Sequence, residues 1–400
     1  MIVGRVVALS DKKYDLRFVV RSTTIELYTD LKRGTVMKKH AIIMLKNMNN
    51  GKEAIHPLNQ FIVENYRNKS YNSMSVASFR IVSFLNFLFF DKDRPLKELE
   101  EITLECATEF LFYLTKKGNQ KSTVKGYENT LYSFYLFLSE QNILRYIEEK
   151  QVLKMKEKQF ANLIYNQNSF GERIHDFKTE LIIPFIETAF YEVNPIALGV
   201  YYQIFGGLRM GEVVNVAKSN IRNIGAYGEF GQILKIDDTY LRTDLITTSG
   251  AGEVKKNRNQ PIFPYRSLLK KLYMNHIERY KNIHTDALFL NRDGNPMSGD
   301  SYRKAFQKLQ KVFVSKLKRY DDVRVSAYGH YLEAMKWSTH IGRGVFSNLM
   351  AEYTDNILEV AVTRGDSSLN SSLPYLADTK RIMAKLQHEL ELLYKGDFLN

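Results

Sequence analysis

A single cysteine, Cys106, in 400 residues excludes an intrachain disulfide and any zinc site built from several thiolates. It falls in the helix-like run Leu104–Thr115, where a buried and inert thiol is expected. The greasiest stretch, Ile81–Phe90, is interrupted by Ser83 and Asn86 and is much shorter than the ~20 residues that span a bilayer. The opening residues Met1-Ile2-Val3-Gly4 lack the basic patch and apolar core of a secretory signal. Also missing are a phosphate-cradling Gly-x-x-x-x-Gly-Lys-Ser/Thr loop, a His-Glu-x-x-His zinc helix and a Gly-x-Ser-x-Gly elbow. No acidic cluster is spaced to hold magnesium, so no cofactor is expected. With no nuclear signal, the expectation is a bacterial cytoplasmic protein that does not engage the membrane.

What is present is positive charge. Lys and Arg number 57 against 44 Asp and Glu, a formal net charge of +13. Such a chain attracts polyanions, of which nucleic acid is the commonest and an anionic membrane surface the competing choice. With 44% hydrophobic and 25% charged residues, the composition is that of a folded protein and excludes general disorder. The length predicts two or three domains.

The pattern changes along the chain. Val6–Leu9, Leu16–Val20 and Thr24–Tyr28 are short β-branched or alternating runs that predict a small β-rich module over residues 1–52, closed by Asn49-Asn50-Gly51. Residues 53–148 then read as four helices. Pro57 suits a first helical position, with Leu58, Phe61, Ile62 and Tyr66 on one stripe. The others are expected at Ser75–Phe90, Leu104–Leu114 and Ser122–Ser139. Lys116, Lys117 and Lys121 lie where the third helix passes to the fourth, and Lys125 lies one turn further on. Free amide N–H groups at such a junction add to the lysines' attraction for a phosphate backbone, although a solvated loop has the same composition. Residues 149–179, with mixed charges at Lys150–Lys158, are read as a linker.

Residues 180–400 form the third block. Helices are expected at Leu181–Phe190, Ile196–Phe205, Ser267–Tyr280, Ser301–Lys318, Trp337–Glu352, Ile357–Thr363 and Thr379–Tyr394. Strands are expected at Gln232–Ile236, Leu241–Thr247 and Pro261–Phe263. The fold class is therefore mainly α with a small antiparallel β-sheet, the last block being α+β.

Three segments carry chemistry. Gly207-Leu208-Arg209-Met210-Gly211-Glu212 places an arginine in a glycine-flanked turn after a buried helix. Glu212, three residues on, can orient the guanidinium or cap the following helix. A lone arginine of this kind is usually structural. Ser338-Thr339-His340-Ile341-Gly342-Arg343 puts His340 and Arg343 on one helix face, within reach of one phosphate. Arg364-Gly365-Asp366-Ser367-Ser368 is followed by Leu373-Pro374-Tyr375. An enzyme that moves phosphate without metal needs fixed cations, a protein nucleophile and an acid for the leaving oxygen.

Taken together, these segments closely resemble the three signature boxes of the tyrosine recombinase (phage integrase) family, site-specific DNA recombinases of mobile elements. Arg343 precedes Asp366 by 23 residues, and Asp366 precedes Tyr375 by nine. Both intervals match the family's register, and the three boxes occur in its order. The resemblance spans about residues 57–395. It implies that 53–148 is a helical (SAM-like) core DNA-binding domain and that 180–400 is the catalytic domain with its tail. Gly344 stands where the family often has histidine, and Asp366 where it has His or Trp. A carboxylate accepts hydrogen bonds and repels phosphate, so Asp366 is expected to position Arg343 or another neighbour. The family's hairpin lysine is best matched by Lys256, eight residues before Pro264, with Lys255 the other choice. The long interval from Arg209 to Lys256 implies an insertion around Asn223–Gly231.

By this resemblance Tyr375 attacks a DNA phosphodiester, forms a 3′-phosphotyrosyl link and releases a 5′-hydroxyl. Arg209 and Arg343 hold the non-bridging oxygens, Lys256 protonates the leaving oxygen and His340 assists at the tyrosine. The resemblance implies double-stranded DNA as partner, a homotetramer assembled on recombination sites in the nucleoid, and accessory recombination proteins in some members. Met383, Leu386, Leu390 and Leu393 have two expected uses, docking on a neighbouring protomer or packing on their own domain. The alternatives are a type IB topoisomerase-like activity and a catalytically silent DNA-binding relative. Residues 1–52 carry no legible function.

Overall fold

The structure is a computed structural model that describes residues 15–30, 34–166, 174, 176–237, 241–242, 254, 257–353 and 356–365. The chain divides into two compact units, residues 1–169 and 170–400.

In the first unit, β1 (Leu16–Asp30) and β2 (Gly34–Asn47) form a long antiparallel hairpin, and the short β3 (Glu53–Ile55) pairs with β2. The runs expected at Leu16–Val20 and Thr24–Tyr28 belong to one strand, with a register shift between Glu26 and Tyr28. The run at Val6–Leu9 lies outside the described residues. Alternation along the hairpin buries Phe18, Ala41 and Ile43 on the face turned to the helices. Those helices are α1 (Asn59–Tyr66), α2 (Tyr71–Asn86), α3 (Leu104–Lys116) and α4 (Lys121–Glu140).

Two asparagines fasten sheet to helices. Asn86 of α2 accepts the Phe18 N–H and donates to the Phe18 carbonyl, both at 2.9 Å. Asn59 of α1 does the same for Ile43 at 2.7 Å. Each side-chain amide pairs with both backbone groups of one strand residue, and the Ile43 carbonyl accepts from the His56 N–H as well. Sheet and helices share one core around Phe61, Phe84, Phe110 and Phe134, and burying each such ring contributes roughly 1.5–3 kcal/mol.

The expected boundaries at 52/53 and 148/149 both fall inside this unit. Val152 of α5 (Glu149–Leu153) and Met155 of α6 (Met155–Lys158) are buried in the same core, so the expected linker begins as packed helix. Helix α2 with its π-turn Phe87–Asp91 is long and apolar enough to cross a membrane by length and composition. Its Met74, Ile81, Phe84 and Leu85 are buried in the core of the unit.

The second unit is built around α8 (Ala197–Phe205), whose residues from Ala197 to Ile204 are all buried. A helix that is apolar all round belongs at the centre of a core. Around it stand α7 (Ile182–Glu192), α9 (Met210–Val214), α10 (Leu268–Arg279), α11 (Gly299–Lys318), α12 (Val323–Ala334), α13 (His340–Tyr353) and α14 (Ile357–Arg364). Strands β4 (Ile221–Asn223), β5 (Gln232–Ile236) and β6 (Arg258–Ile262) form an antiparallel sheet in that order. Buried hydroxyls are satisfied: Tyr202 donates to Gln232 Oε1 at 2.7 Å, and Tyr302 to Gln203 Oε1 at 2.9 Å. His276 of α10 is buried against Tyr280 and Phe289, with Nε2 3.0 Å from the Leu288 carbonyl. Burial pushes its pKa down to about 4.

Several expectations shift. Helix α12 was not anticipated, and α13 starts at His340 instead of Trp337. Leu241 and Arg242 belong to no strand, and the rest of that expected strand lies outside the described residues. The stretch expected as an insertion contains the end of β4 and a 3₁₀ turn at Ala226–Gly228. The expected helix Thr379–Tyr394 lies outside the described residues.

Candidate active site

Arg209 is placed by a tight exit from α8. Gly207 has φ +62°, and a Cβ there would stand 2.5 Å from the Phe346 ring. Only glycine meets both conditions without strain. The chain then anchors at the fully buried Leu208 and enters α9 with Arg209 at its N-cap. Glu212 does both tasks expected of it. Its Oε2 accepts the Arg209 backbone N–H at 2.8 Å, capping α9, and its Oε1 accepts from Arg209 Nη1 at 3.0 Å.

A second arginine, absent from the residues expected to form the site, meets the same carboxylate. Arg258, the first residue of β6, places Nη1 2.8 Å from Glu212 Oε1 and Nη2 3.0 Å from Oε2. This is the two-pronged geometry that makes arginine–carboxylate pairs strong and directional. Its Nε donates to Gln260 Oε1 at 2.6 Å, and Gln260 Nε2 donates to the Thr363 carbonyl at 2.9 Å. Gly365 caps α14 in the left-handed conformation, φ +67°, and its missing Cβ would stand 2.4 Å from Arg258 Nε. Strand β6 therefore holds the end of α14 where the third box begins.

Arg343 completes the convergence. It is 3% exposed and donates from Nη1 to the Gly207 carbonyl and from Nη2 to the Arg364 carbonyl, the latter at 2.9 Å. One side chain thus ties the first box to the third. His340 opens α13 one turn earlier and is exposed, its N–H 3.4 Å from Ser338 Oγ. Arg364, at the end of α14, is 5% exposed.

Arg209 and Arg258 both bind the Glu212 carboxylate, while Arg343 binds the carbonyls of Gly207 and Arg364. The Glu212 side chain is fully buried, and burial alone would raise its pKa. The hydrogen bonds and charge of Arg258, with those of Arg209, outweigh burial and hold the carboxyl below its usual value. A carboxylate ionised in this way is a fixed anchor for the guanidinium groups of Arg209 and Arg258. No group of three or more His, Cys, Asp or Glu among the described residues could hold a metal ion.

Lys256, its alternative Lys255, Asp366 and Tyr375 lie outside the described residues. At the other expected site, Lys116, Lys117, Lys121 and Lys125 are all exposed. Lys117 stands over Tyr113 at 4.5 Å, and Lys121 and Lys125 over Tyr165 at 5.6 and 5.0 Å. Lys125 also pairs at 3.1 Å with Glu128, a buried carboxylate that accepts from Tyr165 as well. Lys125 therefore balances an internal charge, which distinguishes it from the other three.

No sequence-family model and no curated protein matches the chain. Solved structures do. An integrase of transposon Tn1549 in complex with transposon right-end DNA is 14% identical with TM-score 0.58, over 83% of this chain and 98% of that one. The XerH site-specific recombinase bound to its difH substrate is 16% identical with TM-score 0.52, over 80% of each chain. A lambda integrase dimer bound to a COC′ core site is 12% identical with TM-score 0.52, over 81% of this chain and 95% of that one. Likeness at these identities establishes a shared fold.

Proposed function

We propose that this chain, which has the tyrosine-recombinase fold, is a site-specific DNA recombinase that cuts and rejoins strands through Tyr375. One observation carries the reading. Arg209 and Arg343, 134 positions apart in the sequence, are brought together by Glu212, Gly207 and Arg364, at the point where the third box leaves α14.

In this reading Arg209 and Arg343 receive the scissile phosphate. The Tyr375 oxygen attacks phosphorus while its proton passes to a base, with His340 assisting. The P–O5′ bond breaks, and the 5′ oxygen takes a proton from Lys256. Arg209 and Arg343 stabilise the charge that builds on the non-bridging oxygens, a task for which fixed guanidinium forks suit. The 3′-phosphotyrosyl bond conserves the energy of the broken one, so a 5′-hydroxyl from a second duplex reverses the chemistry without ATP or metal. Lys256 is preferred to Lys255 because it stands eight residues before Pro264, the spacing of the family's hairpin lysine. Asp366 is assigned to positioning Arg343 or another neighbour. Exchange between two duplexes requires four such sites, so the working form is a homotetramer on double-stranded DNA. Lys116, Lys117 and Lys121 are assigned to the phosphate backbone.

The test is a set of nicked duplexes spanning the DNA beside the protein's own gene, incubated with the wild type and with Tyr375→Phe. A covalent protein–DNA adduct that survives denaturation is expected with the wild type only. A binding protein without catalysis would retain the DNA and give no adduct.

A further inference from the structure

Arg80, in the first unit, lies midway along α2, and its guanidinium rests on α4 at Gly126. A Cβ at Gly126 would stand 2.2 Å from Arg80 Nη2. Glycine in a helix interior is less favourable than alanine, and here it makes the notch that receives the arginine. Thr130, one turn on, donates its hydroxyl to the Gly126 carbonyl at 3.0 Å and accepts from Arg80 Nη1 at 3.1 Å. The guanidinium carbon lies 5.6 Å from the centre of the Tyr127 ring. These contacts fix the fork, yet they take up a single N–H of the several that a guanidinium offers. Among the described residues no carboxylate pairs with Arg80.

The helix face that carries it is free of acid. Val76, Phe79 and Ser83 fall on the same side of α2 at helical spacing, and Val76 and Phe79 are exposed. Helix α2 has no carboxylate side chain at all. Helix α4 has Glu128, which is buried and paired with Lys125, and Glu140 at its last position. A guanidinium fork with spare donors matches the acceptor edge of guanine, and apolar side chains beside it match thymine methyls. Apolar groups have no use on a phosphate backbone, which the lysines of the α3–α4 junction already suit.

We propose that Arg80 is a specificity-determining residue: seated on Gly126, it reads a guanine in the major groove of the DNA, with Val76 and Phe79 against neighbouring bases. The proposal rests on the recombinase reading for its partner, duplex DNA. It concerns which sequence is bound, and not how the strand is cut.

The experiment uses the full chain to select duplexes from a random-sequence pool. Affinity is then measured for the selected duplex and for each of its single-base-pair variants. It compares the wild type, Arg80→Ala, Gly126→Ala and Lys121→Ala. The wild type is expected to prefer at least one G·C pair by about 10–100-fold, the scale of a two-pronged arginine–guanine contact. Arg80→Ala is expected to lose the preference at one such pair and to keep it within about 3-fold elsewhere. Gly126→Ala displaces the guanidinium without altering its chemistry, so it should lose the preference at the same pair. Its urea midpoint should stay level or rise, because alanine favours the helix, which separates a reading role from a packing one. Lys121→Ala should weaken all duplexes alike.

Arg80→Ala with the wild-type preference at every pair overturns the proposal, as does an equal loss of affinity for all duplexes. So does a Gly126→Ala protein that discriminates as the wild type does, or a wild type that selects no sequence. Should Arg80→Ala not fold, Gly126→Ala carries the test on the same terms. Base preference is measured without strand cleavage, so a wild type that forms no adduct sinks the recombinase reading while binding still decides this one.

Discussion

The Arg343 guanidinium binds the carbonyl of Gly207, two residues before Arg209, so the second box of the sequence is locked to the turn that carries the first. Its other nitrogen binds the Arg364 carbonyl at 2.9 Å, at the threshold of the third. A lysine in its place reaches one of these carbonyls. Arg343→Lys is therefore expected to bind DNA nearly as well as wild type and to form adduct about 100–1000-fold more slowly, the cost of losing one preorganised donor. Equal losses of affinity and rate would assign Arg343 to binding alone.

Gly207 offers a test of the same geometry from the backbone. Gly207→Ala must hold φ +62° and displace the Phe346 ring. The expected loss is about 1–3 kcal/mol of unfolding free energy in urea, with a slower adduct rate because Arg209 moves with the turn. A variant as stable as wild type would mean that Phe346 gives way freely.

His276 links stability to pH. Its ring is neutral in the folded protein, with a pKa of about 4 against 6.5 unfolded. Between these values the unfolded chain takes up a proton that the folded chain refuses. Stability is therefore complete above pH 6.5 and falls as the pH drops toward 4, by up to about 3 kcal/mol. His276→Phe keeps a ring against Tyr280 and Phe289, and urea titrations at pH 7.5 and 4.5 should differ less for it than for wild type. An undiminished difference would place the pH sensitivity in other groups.

The junction lysines make a prediction about salt. Each phosphate contact adds a little under one unit to the slope of log affinity against log salt, so Lys116→Ala, Lys117→Ala and Lys121→Ala together should reduce it by about 3. Lys125→Ala should leave the slope nearly unchanged, because that lysine balances Glu128 inside the unit. Equal effects from all four would contradict the distinction.

The sequence was informative where the chemistry is local. The stripe Tyr127, Leu131, Phe134, Tyr135, Leu138 reads as a helix because each step returns to one buried face, and α4 follows it. Helix α12 has no such stripe, since it buries only Gly329 and Leu332. Trp337 stands outside α13 because its indole packs edge-on against Phe177 and Phe306 while Nε1 donates to the Leu332 carbonyl. At the site, Arg209 and Arg343 announce themselves through short motifs. Arg258 does not: its partner Glu212 lies 46 residues away in sequence, and only pairing in space reveals it. The two clipping asparagines are silent for the same reason, as Asn86 is 68 residues from Phe18.

The central claim is that Tyr375 becomes joined to the 3′ end of a cut strand. The direct measurement is to isolate the denaturation-resistant adduct on end-labelled DNA, digest it with protease, and identify the modified peptide by mass spectrometry. The account predicts a 3′-phosphate ester on Tyr375, a free 5′-hydroxyl on the released strand, and no adduct from Tyr375→Phe. A link to another residue, attachment through a 5′ phosphate, or an equal yield from Tyr375→Phe would contradict it.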